Sequence, residues 1–185
     1  MTHPIPSARI VGTFDEMRPL DGPKTHKHGA VDYSERIGVR FAAVENGRLV
    51  YFAAFRPQTS GLWAPGELDQ FFFKNYFYDT YGGIAALYGD SGRVYLYCHI
   101  YFSRMFNDYG ATADWKYVEE KAEVRLPKHA MFTEETRVFE GDTIGVIGMA
   151  GFTKGPHLHL EIHRGNRWDK YEDRVDPEKL FKGAI

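Results

Sequence analysis

The chain has 185 residues, of which 43% are apolar and 26% charged, with a formal net charge of −2. That length suits one well-buried core and is short for two, and the composition excludes a disordered chain. The near-neutral charge offers no general attraction to nucleic acid or anionic membranes, and the single cysteine, Cys98, rules out a disulfide framework and any cysteine-pair metal site.

In chain order, Arg9–Val11 is a short apolar approach to T-F-D-E-M-R-P. Residues 20–27 are polar and turn-rich, which places His28 on a loop leading into a strand. Residues 39–55 alternate weakly around Glu45-Asn46-Gly47-Arg48, and Asn-Gly between two apolar runs predicts a hairpin. Residues 56–81 are rich in Pro, Gly and aromatics, among them Trp63, Phe71, Phe72, Phe73, Tyr76, Phe77 and Tyr78. These read as a satellite cluster over the core, with a wall of a substrate groove as the functional alternative. Gly83–Leu87 and Arg93–Ile100 predict a strand pair around Tyr88–Gly92. Alternation in its second strand puts Tyr95, Tyr97 and His99 on one face and Val94, Leu96 and Cys98 on the other. Cys98 therefore reads as a buried apolar residue and not as a thiol nucleophile. In Asp114–Val124, Trp115, Val118 and Ala122 are compatible with a short helix, and His129 reads as a surface residue. Val138, Ile144, Val146 and Ile147 predict core strands. Asp176 before Pro177 marks a capped helix start near the C-terminus.

Chemistry concentrates in Gly141–Arg164. Five glycines (Gly141, Gly145, Gly148, Gly151, Gly155) precede a run of strict alternation. There His157, His159, Glu161 and His163 share one face of a strand, and Leu158, Leu160 and Ile162 take the other, which faces the core. An isolated H-x-H is most simply two surface histidines on an amphipathic strand. The segment K-T-H-K-H-G-A-V-D changes that balance, because His28 and Asp32 add a third imidazole and a carboxylate. Two imidazoles and one carboxylate with a vacant fourth position is the donor set of catalytic zinc, not structural zinc. A straight strand would hold His28 and Asp32 about 13 Å apart at Cα, so the backbone must bend, and Gly29 gives it room.

Residues His28–Asp32, the Y-C-H of Tyr97–His99 and the terminal block G-D-T-I-G…G-P-H-L-H-L-E-I-H together resemble the lysostaphin/LytM family of zinc peptidases, which cut peptidoglycan cross-bridges. The resemblance spans roughly Arg9 to Leu180, and the terminal block is its most specific part. It implies that His28, Asp32 and His159 are zinc ligands and that His99 and His157 are the catalytic pair. His28 is preferred to His26 because only His28 has the family spacing to Asp32. The family's Phe-Gly-x-Arg pattern has a longer, glycine-free counterpart here, Phe14 to Arg18, and Arg18 is expected at most to brace the site. Glu161 and His163 are expected in solvent or structural roles.

The fold so implied is mainly β: an antiparallel sheet folded into a split, barrel-like groove with zinc on its floor, and a short C-terminal helix. Residues 1–185 form a single catalytic domain with insertions at about 56–81 and 101–137. The implied activity is metal-assisted hydrolysis of peptide stems or cross-bridges in peptidoglycan, either Gly-Gly bridges or direct D-Ala–diaminopimelate links. No membrane insertion or nucleic acid is expected, and the protein is expected to be a monomer. The N-terminus lacks a signal-peptide core, so delivery to the wall is expected through phage lysis, a virion, or a leader outside this sequence. Two alternatives remain: a non-catalytic scaffold of the same fold, which would be expected to lack ligands, and a peptidase acting on a non-wall peptide.

Overall fold

The computed structural model describes residues 1–19, 25–54, 81, 83–100, 116–118, 130–132, 135–148, 153–165 and 171–182. In chain order the strands are β1 (Arg9–Gly12), β2 (Met17–Pro19), β3 (Thr25–Lys27), β4 (Val31–Ser34), β5 (Arg40–Ala42), β6 (Gly47–Ala54) and β7 (Gly83–Gly89). They continue with β8 (Arg93–Ile100), β9 (Lys116–Val118), β10 (Ala130–Phe132), β11 (Thr136–Val138), β12 (Thr143–Val146), β13 (His157–Arg164) and β14 (Arg174–Val175). One α-helix, α1 (Pro177–Lys182), closes the described chain. The architecture is mainly β and antiparallel, as expected.

The main sheet runs in the order β1-β4-β13-β8-β7-β6-β10-β9, with β11 also on β6 and β14 also on β13, and among the described residues it does not close into a barrel. Strand β13 sits between β4 and β8, so its alternation governs both faces at the centre. On one face Leu158, Leu160 and Ile162 join Val31, Tyr33, Tyr95, Tyr97, Ala85 and Leu87 in the main core. Phe41, Ile144 and Val146, carried by the β5–β12 sheet, pack into the same cluster, with Phe181 of α1. Burying each large aliphatic side chain there contributes roughly 1.5–3 kcal/mol. Two of the buried tyrosines have partners for their hydroxyls, which offsets the cost of burying them: Val44 N–H donates to Tyr97 at 3.1 Å, and Tyr33 donates to Glu178 at 2.7 Å. Helix α1 starts as expected, with the Glu178 N–H donating to Asp176 Oδ1 at 3.0 Å.

Two expectations fail. The Asn46-Gly47 turn does not make a hairpin of its flanking strands, because β5 pairs with β12 while β6 pairs with β7, β10 and β11. Asn46 instead marks a corner between sheets: its carbonyl accepts from Asp90 N–H and its side-chain oxygen from Glu140 N–H. A short helix in Asp114–Val124 also does not form where that segment is described, since Lys116–Val118 is strand β9 on β10. Pairing at the sheet edge there overrides a weak helical pattern. The aromatic cluster of residues 56–81, apart from Tyr81, lies outside the described residues, as do His129 and most of 101–137.

Candidate metal centre

The second face of the central strands carries the chemistry. Asp32 on β4 and Cys98 on β8 are the register partners of His159 on β13, one on each side. Directly paired residues share a face with Cβ atoms about 4.5–5.5 Å apart, so Asp32 is delivered to His159 by strand pairing alone. His28 arrives differently, from the loop between β3 and β4. The turn after β1 holds it: its N–H donates to Glu16 O and its carbonyl accepts from Asp15 N–H, both at 2.8 Å.

Three donor atoms converge. His159 Nδ1 lies 2.8 Å from Asp32 Oδ1 and 3.2 Å from His28 Nε2, and His28 Nε2 lies 3.3 Å from Asp32 Oδ1. Tetrahedral zinc with bonds of about 2.0–2.1 Å places its ligands roughly 3.3 Å apart, so the triad has the size of three corners of that tetrahedron. Each histidine has its other nitrogen committed. His28 Nδ1–H donates to Thr13 O at 3.1 Å, and His159 Nε2–H donates to Glu161 Oε1 at 3.2 Å. In the neutral rings these partners set the tautomers, so that His28 Nε2 and His159 Nδ1 carry the lone pairs. Two lone pairs and a carboxylate oxygen in contact repel one another unless a proton or a metal cation lies among them, so the residues fit a metal. All three are buried.

The electrostatics agree. Burial pushes the Asp32 carboxyl up, but hydrogen bonds from His159 and His28 outweigh it and hold the group well below the usual carboxylate range. Burial pushes His159 down, yet the carboxylates of Asp32 and Glu161 pull it up to about 9. A field that favours a proton so strongly also favours a divalent cation.

Arg18 Nη2 donates to the remaining Asp32 oxygen, Oδ2, at 2.7 Å, which leaves Oδ1 for the triad. Arg18 thus braces the site. The glycine this requires is Gly12, opposite Asp32 across β1–β4, where a Cβ would overlap both Arg18 Nη2 and the Asp32 carboxylate. Where the related Phe-Gly-x-Arg pattern has its glycine, Asp15 adopts a φ of 62°, a conformation aspartate tolerates better than most residues. Gly29 has a further role beside the one expected: its missing side chain makes room for the Arg174 side chain.

His99 needs a device that alternation does not supply. Regular pleating would keep it with Tyr95 and Tyr97 in the main core, away from His159. Instead β8 bulges against β7: Gly83 pairs with Ile100 and Ile84 with Cys98, leaving His99 as the extra residue with a φ of 63°. The bulge turns the imidazole to the site face, and Ile100 takes the place in the core. The His99 ring centroid then lies 4.6 Å from His157 and 5.5 Å from His159. His157 is half-buried, and its Nδ1–H donates to Gly155 O at 2.9 Å, leaving Nε2 bare 3.6 Å from Asp32 Oδ1. Burial lowers the His157 pKa against the pull of Asp32. The structure therefore brings all five expected residues together.

Glu161 and His163 are not in solvent: they are 1% and 0% exposed. Tyr81 donates to Glu161 Oε1 at 2.6 Å, while His163 Nε2–H and Arg174 Nη2 reach Oε2 at 2.8 Å and 3.3 Å. Burial pushes the Glu161 carboxyl up, but hydrogen bonds from His159 and His163 and the Arg174 charge hold it below the carboxylate range. Its place two residues from His159 on one strand face was the available signal, and Tyr81 and Arg174 had none. Cys98 is fully buried, and burial pushes its thiol well up, so it is no nucleophile.

No family model matches the sequence, and no curated protein sequence does. Solved structures do. The catalytic domain of the antimicrobial peptidase lysostaphin from Staphylococcus simulans matches with a TM-score of 0.54 at 18% identity, over 95% of this chain and 92% of that one. LytU matches with a TM-score of 0.53 at 19% identity, over 97% of this chain and 88% of that one. A zinc-containing peptidase from Vibrio cholerae matches with a TM-score of 0.51 at 18% identity, over 94% of this chain and 37% of that one. The chain has the lysostaphin-type fold.

Proposed function

We propose that this protein is a zinc-dependent endopeptidase that hydrolyses peptide cross-links of bacterial cell-wall peptidoglycan. The observation that carries the reading is the meeting of His28 Nε2, Asp32 Oδ1 and His159 Nδ1 within 3.3 Å of one another, beside two further imidazoles. Its support is the fold shared with an antimicrobial peptidase and with a zinc-containing peptidase. Three protein donors leave a fourth position open, as in catalytic zinc sites and unlike structural ones. Bound there, zinc supplies Lewis-acid polarisation of the scissile carbonyl and a lowered pKa for water.

His157, with Nε2 bare and its pKa lowered by burial, accepts a proton at that atom from the attacking water. The hydroxyl adds to the carbonyl carbon, the C–N bond breaks, and the proton is returned to the leaving amine. His99, packed against His157, is the second group on that side able to hold a proton or stabilise the developing oxyanion. Arg18 keeps the Asp32 carboxylate turned to the triad throughout. The substrate lies outside the cytoplasm, so the protein reaches it by lysis, by a virion or by export.

The test is digestion of purified peptidoglycan from a Gram-negative and a staphylococcal source by zinc-loaded protein, with released fragments read by mass spectrometry. New peptide termini that vanish in His159→Ala and in chelator-treated protein are expected, and their masses name the bond. Intact walls from both sources would overturn the lytic reading and favour a scaffold or a non-wall peptidase.

A further inference from the structure

We propose that Glu161 is a positioning residue for the metal ligand His159, and that Tyr81, His163 and Arg174 form the clamp that fixes its carboxylate. The inference rests on His159 being a zinc ligand, as read above. An ionised carboxylate that is 1% exposed is costly unless its oxygens are satisfied, and here each oxygen has two partners. Oε1 accepts from His159 Nε2–H at 3.2 Å and from the Tyr81 hydroxyl at 2.6 Å. Oε2 accepts from His163 Nε2–H at 2.8 Å and faces Arg174 Nη2 at 3.3 Å. Arg174 Nη2 also donates to the Tyr81 hydroxyl at 3.1 Å, so the clamp is tied to itself as well as to Glu161.

The geometry assigns the clamp a job beyond filling space. His159 offers Nδ1 to the triad and Nε2 to Glu161, on opposite sides of one ring. A carboxylate on Nε2–H fixes both the tautomer and the rotation of the ring, and it raises the basicity of Nδ1. Strand geometry makes this possible, since Glu161 is the next residue on the same face of β13 as His159. The clamp gathers residues from three places: Glu161 and His163 on β13, Arg174 on β14, which pairs with β13, and Tyr81 shortly before β7. The Arg174 side chain also passes over Gly29, the residue after ligand His28, so one arginine packs behind two ligand positions.

The experiment uses the full chain loaded with zinc, with variants Glu161→Leu, Glu161→Gln and Tyr81→Phe, and His159→Ala as the ligand control. Zinc affinity is measured by competition with a chromogenic chelator, the His159 Nε2–H proton by side-chain nitrogen–proton NMR, and stability by thermal unfolding of the metal-free form. Loss of an outer-shell partner is expected to weaken zinc binding about 10–100-fold in Glu161→Leu and to abolish the low-field His159 proton signal. Glu161→Gln, which keeps an oxygen acceptor for His159, is expected to recover most of the affinity and the signal. A merely structural Glu161 would lower thermal stability while leaving the proton signal and the affinity in place, and that result overturns the inference. Should Glu161→Leu not fold, Tyr81→Phe decides: an unchanged His159 signal overturns the proposal, and an upfield shift with weaker zinc binding supports it. Wild-type protein that binds no zinc sinks the metal reading and this inference with it. Zinc lost in His159→Ala but kept in Glu161→Leu sinks this inference alone.

Discussion

Asp32 and His159 stand directly opposite each other on adjacent antiparallel strands, with Oδ1 and Nδ1 2.8 Å apart and both side chains buried. A carboxylate and an imidazole far apart in sequence thus form one half-site through backbone pairing, and a loop histidine completes it.

If these three side chains hold a metal, replacing any one of them removes it. His28→Ala, Asp32→Ala and His159→Ala are each expected to retain under about a tenth of an equivalent of zinc after dialysis, against about one in the wild type. Elemental analysis of the dialysed proteins checks this. In the wild type, free zinc at about 100 times the dissociation constant should add about 2.7 kcal/mol to unfolding stability, and excess chelator should remove it.

Gly12 is predicted to be intolerant of a side chain because Arg18 and Asp32 already occupy the space. Gly12→Ala should cost about 1–3 kcal/mol in urea unfolding, the usual penalty for overpacking. It should also weaken zinc binding, because the added methyl pushes Arg18 off Asp32 Oδ2. Arg18→Ala should weaken zinc binding about 10-fold or more through the same lost contact. Wild-type stability in Gly12→Ala would contradict this packing.

The bulge at His99 holds a non-glycine residue in the left-handed region. A side chain at positive φ costs about 1–2 kcal/mol, and alanine's smaller unfolded-state entropy returns about 0.4–1 kcal/mol relative to glycine. His99→Gly should therefore be about 0.5–1 kcal/mol more stable than His99→Ala, and on the proposed function both should lose hydrolysis by about 10²–10⁴-fold. Denaturant melts of the two variants make the comparison, and a more stable alanine variant would rule out the left-handed conformation.

Cys98 is predicted to be chemically silent. It is fully buried, and its thiol is held protonated by burial, with the Glu161 charge acting in the same direction. A disulfide reagent at pH 8 should label no thiol in the native protein and one per chain in denaturant, and Cys98→Ala should keep its zinc. Rapid native labelling would show that the β8 face opens.

Much of the site was legible because ligand chemistry leaves local marks. Strict alternation from His157 to His163 gave the strand and its two faces, and the spacing of His28 to Asp32 marked the second half of the site. Of the solvent or structural roles expected for Glu161 and His163, burial selects the structural one, because alternation says which residues share a face and not whether that face meets water. The hairpin expected at Asn46-Gly47 failed for a related reason: turn residues report that the chain turns, while partner choice depends on which strands compete for each edge. β6 found β7, β10 and β11, and β5 found β12.

By itself the sequence determined a mainly β protein with a donor set of two imidazoles and one carboxylate, because period-two patterning and residue chemistry are written position by position. Only the tertiary structure decided how those donors meet. Alternation put His99 on the wrong face until a bulge turned it, and Arg18 and Arg174 reach the site through gaps left by Gly12 and Gly29. Tyr81 joined the site with no motif at all. Such relationships depend on register and on the space between elements, which exist only once the strands have paired.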